Sequence, residues 1–238
     1  MANATLYRDK KALQAANLAI GKLSNASKLP KKTRAGCNIS TGSSFSTSAY
    51  DCRTGSKLRK IAGSVCSTCY ACKGRQNFPK NQEAYRNRTA LYFKLGADAW
   101  ADNLCAAIEP DSDFRFFDSG DLADYAMLRA IVQVAARRPD VRFWLPTKEY
   151  ADVQRLQTEG VAIPSNLCIR VSVPMLNQDI PNYGIRSVVF EDAAQVPDGA
   201  SICPCSTGDR STCDGTGAQV ACRNCWDSNV QVVCYLKH

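Results

Sequence analysis

Thirteen cysteines in 238 residues, gathered mainly into two groups, are the side chains of this sequence best equipped for chemistry. The first group is Cys52, Cys66, Cys69 and Cys72, with Cys37 upstream. Its Cys66-Ser67-Thr68-Cys69-Tyr70-Ala71-Cys72 run has C-x2-C-x2-C spacing, a common way for iron–sulfur proteins to present thiolates from one loop. A turning backbone aims successive sulfurs at one centre, and its amides stabilise the negative charge collected there. The spacing points to metal without choosing which of the five cysteines are ligands. The second group is Cys203-Pro204-Cys205, Cys213 and Cys222-Arg223-Asn224-Cys225-Trp226. Cys213, Cys222, Cys225 and either Cys203 or Cys205 can supply four thiolates to one site, which suits an iron–sulfur cluster or a tetrahedral zinc. This stretch is rich in glycine and poor in apolar residues, so something other than a core must order it. Cys105, Cys168 and Cys234 lie inside apolar patterns and read as small buried hydrophobes.

Disulfides explain the cysteines less well. An odd number cannot pair completely, and the chain is long and helical in pattern for a disulfide-framed miniprotein. No apolar run is long enough to span a bilayer, and the first residues lack a signal-peptide core. The expected setting is therefore the cytoplasm, away from membranes, where clustered cysteines serve as metal ligands. The net charge of +8 is concentrated in the first quarter, among Lys28, Lys31, Lys32, Arg34, Lys57, Arg59, Lys60 and their neighbours. Such a segment meets nucleic acid or an anionic substrate, or is simply a solvated face; no recognisable DNA-reading module accompanies it.

These residues need a scaffold, and the periodicity supplies one. Residues 8–24 form a helical pattern, with Leu13, Ala16, Ile20 and Leu23 on one face. Residues 24–48 read as loop, so 1–48 form a basic N-terminal helix and loop ahead of a domain over 49–238. That domain includes the cysteine-rich segment 201–228. A long helical region covers 81–108, with Gly96 able to bend or divide it. Strands follow at 114–117, 141–145, 167–173, 187–190 and 230–236, with helices to Arg138 and over 149–159 between them. With one more strand near 45–51 the count is about six, and short apolar strands alternating with helices imply parallel βαβ units. The expected fold is α/β, a partial parallel β/α barrel with cysteine-rich metal-binding loops.

In such folds the loops at the carboxyl ends of the strands build the site. Here the strands run out at Asp118 and Asp121, at Thr147 and Lys148, at Ser172, at Glu191 and Asp192, and at His238. Caps and turns use the same residue types, so the recurrence along one rim counts for more than any single member.

Several segments resemble a known family. They are Cys52-Arg53-Thr54-Gly55-Ser56-Lys57, Gly63-Ser64-Val65-Cys66-Ser67-Thr68-Cys69-Tyr70-Ala71, Ser119-Gly120-Asp121, Thr147-Lys148 and the Cys222-x2-Cys225-Trp226 tail. Together they resemble the phage gene product 88 family, which implies a phage protein working in the cytoplasm of a bacterial host. More distantly, the chain is similar to radical S-adenosylmethionine enzymes, which carry C-x3-C-x2-C after the first barrel strand. Cys66 and Cys69 match the last two positions, the first falls on Ala62, and Cys52 would supply the missing thiolate. That similarity implies a 4Fe–4S cluster, one or two in all, with an open iron for S-adenosylmethionine. It places Asp118, Ser119, Gly120 and Asp121 toward the methionine amine, Lys148 toward the carboxylate and Ser172 toward the ribose. Asp121 and Lys148 are then the catalytic candidates, and a nucleotide or nucleic acid is the expected substrate. A fourth ligand, Cys37 or Cys72, would close the cluster. The competing expectation is a non-catalytic protein, stabilised by a cluster or by zinc at the C-terminal group, that binds nucleic acid or a host protein.

Overall fold

The computed structural model describes residues 10–25, 43–109, 112–209 and 222–237. Cys37, Cys213 and His238 lie outside them. The elements are, in chain order, α1 (Lys10–Ala19), β1 (Ser24–Asn25), β2 (Ser43–Phe45), α2 (Gly55–Leu58), α3 (Pro79–Leu95), α4 (Ala97–Ala107), β3 (Asp113–Phe116), α5 (Tyr125–Arg137), β4 (Arg142–Thr147), α6 (Tyr150–Thr158), β5 (Leu167–Ser172), β6 (Arg186–Phe190), β7 (Ser201–Ile202) and β8 (Val232–Leu236), with strand and helix alternating from β3 to β5. The eight strands form one sheet in the order β1-β2-β3-β4-β5-β6-β8-β7. Only β1 is antiparallel to its neighbour, so seven strands are parallel. The mixed α/β class expected from the alternation holds. Five of the six longer parallel strands lie where expected; the first is Ser43–Phe45, inside the stretch read as loop and ahead of the expected 45–51, and the two extra strands have two residues each.

Two differences have local causes. The first parallel strand stops at Phe45, because Ser48 turns the chain: its side chain accepts from the Tyr50 amide and caps a 3-10 turn over Ala49–Asp51. The long helical pattern over 81–108 is two helices. Pro79 opens the first, where a missing amide hydrogen costs nothing. Gly96, at φ 77°, closes it and starts the second.

Alternate residues along each strand face opposite ways, and here the two faces differ in kind. Phe45, Phe114, Phe116, Phe143, Leu145, Leu167, Ile169 and Val171 enter the main core beneath the helices. Ala16 and Ile20 of the N-terminal helical segment join it. The other face carries Arg115, Trp144, Cys168 and Arg170, all buried. The C-terminal segment covers this face. Trp226 Nε1 donates to the Phe114 carbonyl at 3.1 Å, and Trp226 meets Trp144 edge-on. Arg170, fully buried, donates to the carbonyls of Asn224 and Asp227 at 3.0 Å. Among the described residues no helix is long and apolar enough to cross a membrane.

Candidate functional site

Parallel strands put their carboxyl ends on one rim, and β2 to β5 present Thr47, the 117–121 turn, the 147–149 turn and Ser172 there. These turns are bonded to one another. Thr47 N donates to the Ser119 carbonyl at 3.0 Å and Thr47 Oγ1 to the Asp121 carbonyl at 3.2 Å. The approach is so close that only glycine fits at 120. A Cβ there would collide with Thr47 Oγ1 and lie 2.7 Å from the Thr47 carbonyl, and φ is +85°.

The loop bearing Cys52, Cys66, Cys69 and Cys72 follows the first parallel strand and lies across this rim. Each neighbouring strand end holds one part of it. From β3, the Asp118 carbonyl accepts from Tyr70 Oη at 2.7 Å. After β4, Glu149 accepts from the amide and hydroxyl of Thr54, and Asp152 pairs with Arg53 at 2.6 Å. After β5, the Pro174 carbonyl accepts from Val65 N at 2.9 Å, and Ser64 bridges to Met175.

The four sulfurs are thereby gathered. A Cβ on Gly55 would lie 3.6 Å from both Cys52 Sγ and Cys66 Sγ and 3.0 Å from Cys52 Cβ, so the glycine leaves a cradle beside two of them. Burial pushes the Cys52 thiol up strongly, with Asp121, Cys69 and Cys66 adding to the rise. Burial also raises Cys66, against the pull of Lys148, with Cys69 and Asp121 adding to the rise. Cys72 is raised by burial and then by Cys69. Cys69 is thus the neighbour common to the other three. Arg59 acts on Cys52, Cys66 and Cys72 in the opposite sense. Its guanidinium donates to the Ala49 carbonyl and lies over the Tyr50 ring, while its buried Nε has no hydrogen-bond partner among the described residues.

These features bear on whether a metal group fits. The donor set is soft, the Gly55 cradle leaves space, and a cation with an unused donor stands beside it. Among the described residues, however, no group of three or more histidine, cysteine or carboxylate side chains is arranged to hold a single metal ion. None of the described cysteines is in a disulfide.

Asp118 forms an ion pair with Arg115. Ser119 is buried, and its Oγ has no hydrogen-bond partner among the described residues. Asp121 ties rim turns together: Oδ1 accepts from Leu122 N at 2.8 Å and Thr147 Oγ1 at 2.6 Å, and Oδ2 from Lys148 N at 2.8 Å. Burial still lifts its carboxyl to about 6, over the opposing effect of these three donors. Lys148 has its charge near Cys66. Ser172 Oγ lies 3.2 Å from Ser187 Oγ, and its carbonyl accepts from Tyr150 Oη at 2.7 Å.

Cys203, Cys205 and Cys225 share an apolar cluster with Trp144, Trp226, Val233 and Tyr235 on the face that the C-terminal segment covers. Cys225 Sγ is 3.1 Å from Tyr235 Oη, and Cys222 lies beside Arg223, which donates to the Cys222 carbonyl. Cys105, Cys168 and Cys234 are buried, as their apolar surroundings in the sequence imply.

Sequence reasoning missed Glu149, Asp152, Arg59 and Gly55; the contacts of the first three are 95, 99 and 10 residues away in the chain, and Gly55 meets Cys66 eleven residues on. It also passed over Arg115 and Arg170, although a charged residue inside an apolar strand is a visible signal of a polar face.

The chain matches the family described as Gene product 88 over residues 3–237. No curated protein and no solved structure matches it.

Proposed function

The chain belongs to the gene product 88 family, a family of phage gene products, and we propose that this member is an iron–sulfur protein whose cluster is held by Cys52, Cys66, Cys69 and Cys72. The observation that carries this reading is that Cys52 Sγ and Cys66 Sγ flank the Gly55 cradle while backbone bonds from Cys69 N to the Cys66 carbonyl and from Cys72 N to the Cys69 carbonyl hold the other two cysteines beside them on one rim of the sheet. A cluster interposes iron and sulfide between its thiolates, so it accepts sulfurs spaced too widely for one ion. Thiolates buried together repel and are poorly solvated. Iron offsets that cost, and Arg59 and Lys148 supply positive charge to an anionic centre. Bound there, the cluster supplies one-electron redox chemistry. Succession of β2 to β6 in chain order supports reading that part of the sheet as a partial barrel, with the cluster loop after its first parallel strand.

A second reading is an enzyme similar to the radical S-adenosylmethionine class, favoured by Asp121 and Lys148, bonded to each other at the rim and both acting on the Cys66 thiol through their charge. It requires three ligands and an open iron, so Cys72 would stay uncoordinated. The C-terminal cysteines would hold a second cluster or zinc, with Cys213 completing the set.

Anaerobic purification with iron, sulfide and zinc analysis tests the proposal. Brown protein with iron and sulfide that depends on Cys69 supports it. A reduced-cluster EPR signal that shifts on adding S-adenosylmethionine selects the second reading. Colourless protein carrying only zinc overturns both iron readings.

A further inference from the structure

We infer that the outer surface of the cysteine loop, together with the first turns of α3, binds single-stranded nucleic acid, because anchored, solvent-facing aromatic rings and unpaired bases are interleaved there. Tyr70 is 59% exposed although its hydroxyl is fixed to the Asp118 carbonyl at 2.7 Å. Tyr50 is 39% exposed, its hydroxyl fixed to Asn77 Oδ1 at 2.8 Å and its ring backed by Arg59. Phe78, next to Asn77 at the start of α3, is 57% exposed. A soluble protein has reason to bury such rings. Here the polar tips are held inward and the ring faces left outward, so stacking a base on them orders little that is not already ordered.

The charge around these rings is predominantly positive. Lys57, Lys60, Lys73, Arg75, Lys80 and Arg86 are exposed. Between residues 49 and 90 the acids are Asp51 and Glu83. None of those six bases is in an ion pair among the described residues, whereas Arg129, Arg137 and Arg155 elsewhere are paired with Glu159 and Asp102. The pieces adjoin: Asn81 Nδ2 donates to the Arg75 carbonyl at 2.6 Å, Gln82 Nε2 to the Gln76 carbonyl at 2.9 Å, and Tyr50 reaches Asn77. Basic side chains following a phosphate backbone, with aromatic faces for successive bases, are how single strands are held without sequence readout. A duplex hides its base faces, so this surface favours the single strand.

The test is fluorescence anisotropy of labelled oligo-dT and oligo-U of about twenty nucleotides, beside a duplex of equal length and phosphatidylglycerol vesicles. The expected result is binding of both single strands, weaker binding of the duplex, and affinity that falls with salt. Phe78→Ala and Tyr70→Ala should each weaken binding by about tenfold, within the range of base–aromatic stacking. The double change Lys73→Ala, Arg75→Ala should reduce the salt slope by about 1.4, for two phosphates on a single strand. No binding at low salt, equal affinity for the duplex, binding to vesicles alone, or indifference to Phe78→Ala overturns the inference. Phe78 lies outside the cysteine loop, so its variant remains informative if Tyr70→Ala folds poorly. Metal analysis of each sample keeps the two proposals apart. Iron-loaded protein that ignores oligonucleotides removes this inference alone, and oligonucleotide-binding protein without iron removes the cluster alone.

Discussion

Glu149 grips Thr54 with both carboxylate oxygens, Oε1 accepting from the Thr54 amide at 2.9 Å and Oε2 from its hydroxyl at 3.0 Å. The two residues are 95 apart in the chain. Glu149 is buried at the end of β4, and Thr54 stands at the entry to α2, two residues after Cys52. Through this pair the sheet decides where the first cysteine sits.

Glu149→Gln tests that relationship. A glutamine can still accept from the Thr54 amide and donate to the Thr54 hydroxyl, which then turns to accept, so the change removes the charge that strengthens both bonds and faces Arg53 at 3.6 Å. The variant should lose about 1 kcal/mol, the difference between charge-assisted and neutral hydrogen bonds, seen in a denaturant melt. It should also hold less iron than the parent. Unchanged stability and iron content would mean that the clamp does not position the loop.

The cysteines divide into ligands and core residues on this reading. Cys69→Ala should abolish iron binding and reduce solubility, because thiolate–metal bonds contribute to folding. Cys225→Ala should lose the metal of the C-terminal group. Cys168→Ala should keep the full metal content, since its sulfur is buried beneath the sheet's covered face, 3.6 Å from an Arg170 nitrogen. Metal analysis by mass spectrometry reads all three, and a Cys69 variant with parental iron would refute its assignment.

Gly55→Ala sets two effects against each other. Alanine in place of glycine inside a helix ordinarily stabilises by about 1 kcal/mol. Here the added methyl would stand 3.0 Å from Cys52 Cβ and 3.6 Å from two sulfurs. We expect crowding to win, with lower iron occupancy and a shifted absorption spectrum. A more stable, fully loaded variant would show that the cradle is not used.

Arg170 holds the second cysteine segment. Fully buried, it donates to the carbonyls of Arg186, Asn224, Asp227 and Gln231. Arg170→Lys keeps the charge but loses the fork that reaches all four. The loss should be at least about 2 kcal/mol, since several buried acceptors lose a donor. Limited proteolysis should cut first near residues 203–209 or 222–229. Parental resistance there would remove Arg170 as the anchor.

Much of this architecture is legible in the sequence because it depends on local pattern. Alternating apolar strands and amphipathic helices mark five of the six longer parallel strands, whereas the short, serine-rich Ser43–Phe45 reads as loop. Gly96 marks the break between α3 and α4, as only glycine takes φ 77° at little cost. The C-x2-C-x2-C spacing of Cys66, Cys69 and Cys72 marks the first cysteine loop, since residues so close in the chain have to share one place in space. Rim residues such as Asp121 and Lys148 are legible as well, because they sit where apolar strands end.

Contacts between distant parts of the chain are what the tertiary structure decided. No spacing rule links Thr54 to Glu149, Arg53 to Asp152 or Arg59 to Ala49, yet these bonds aim the cysteine loop. Asp121 reads in the sequence as a candidate for chemistry; in the fold its carboxylate is engaged by three donors from its own and the next strand's turn. The sequence by itself determined the elements, the parallel order they imply and the two cysteine groups, because hydrophobic period and loop spacing act over a few residues. Which side chains surround the sulfurs, which face of the sheet receives Cys203 and Cys225, and which rings stay outside were decided by packing. Burial and hydrogen-bond satisfaction are properties of the assembled chain, fixed only when strands far apart in sequence lie side by side.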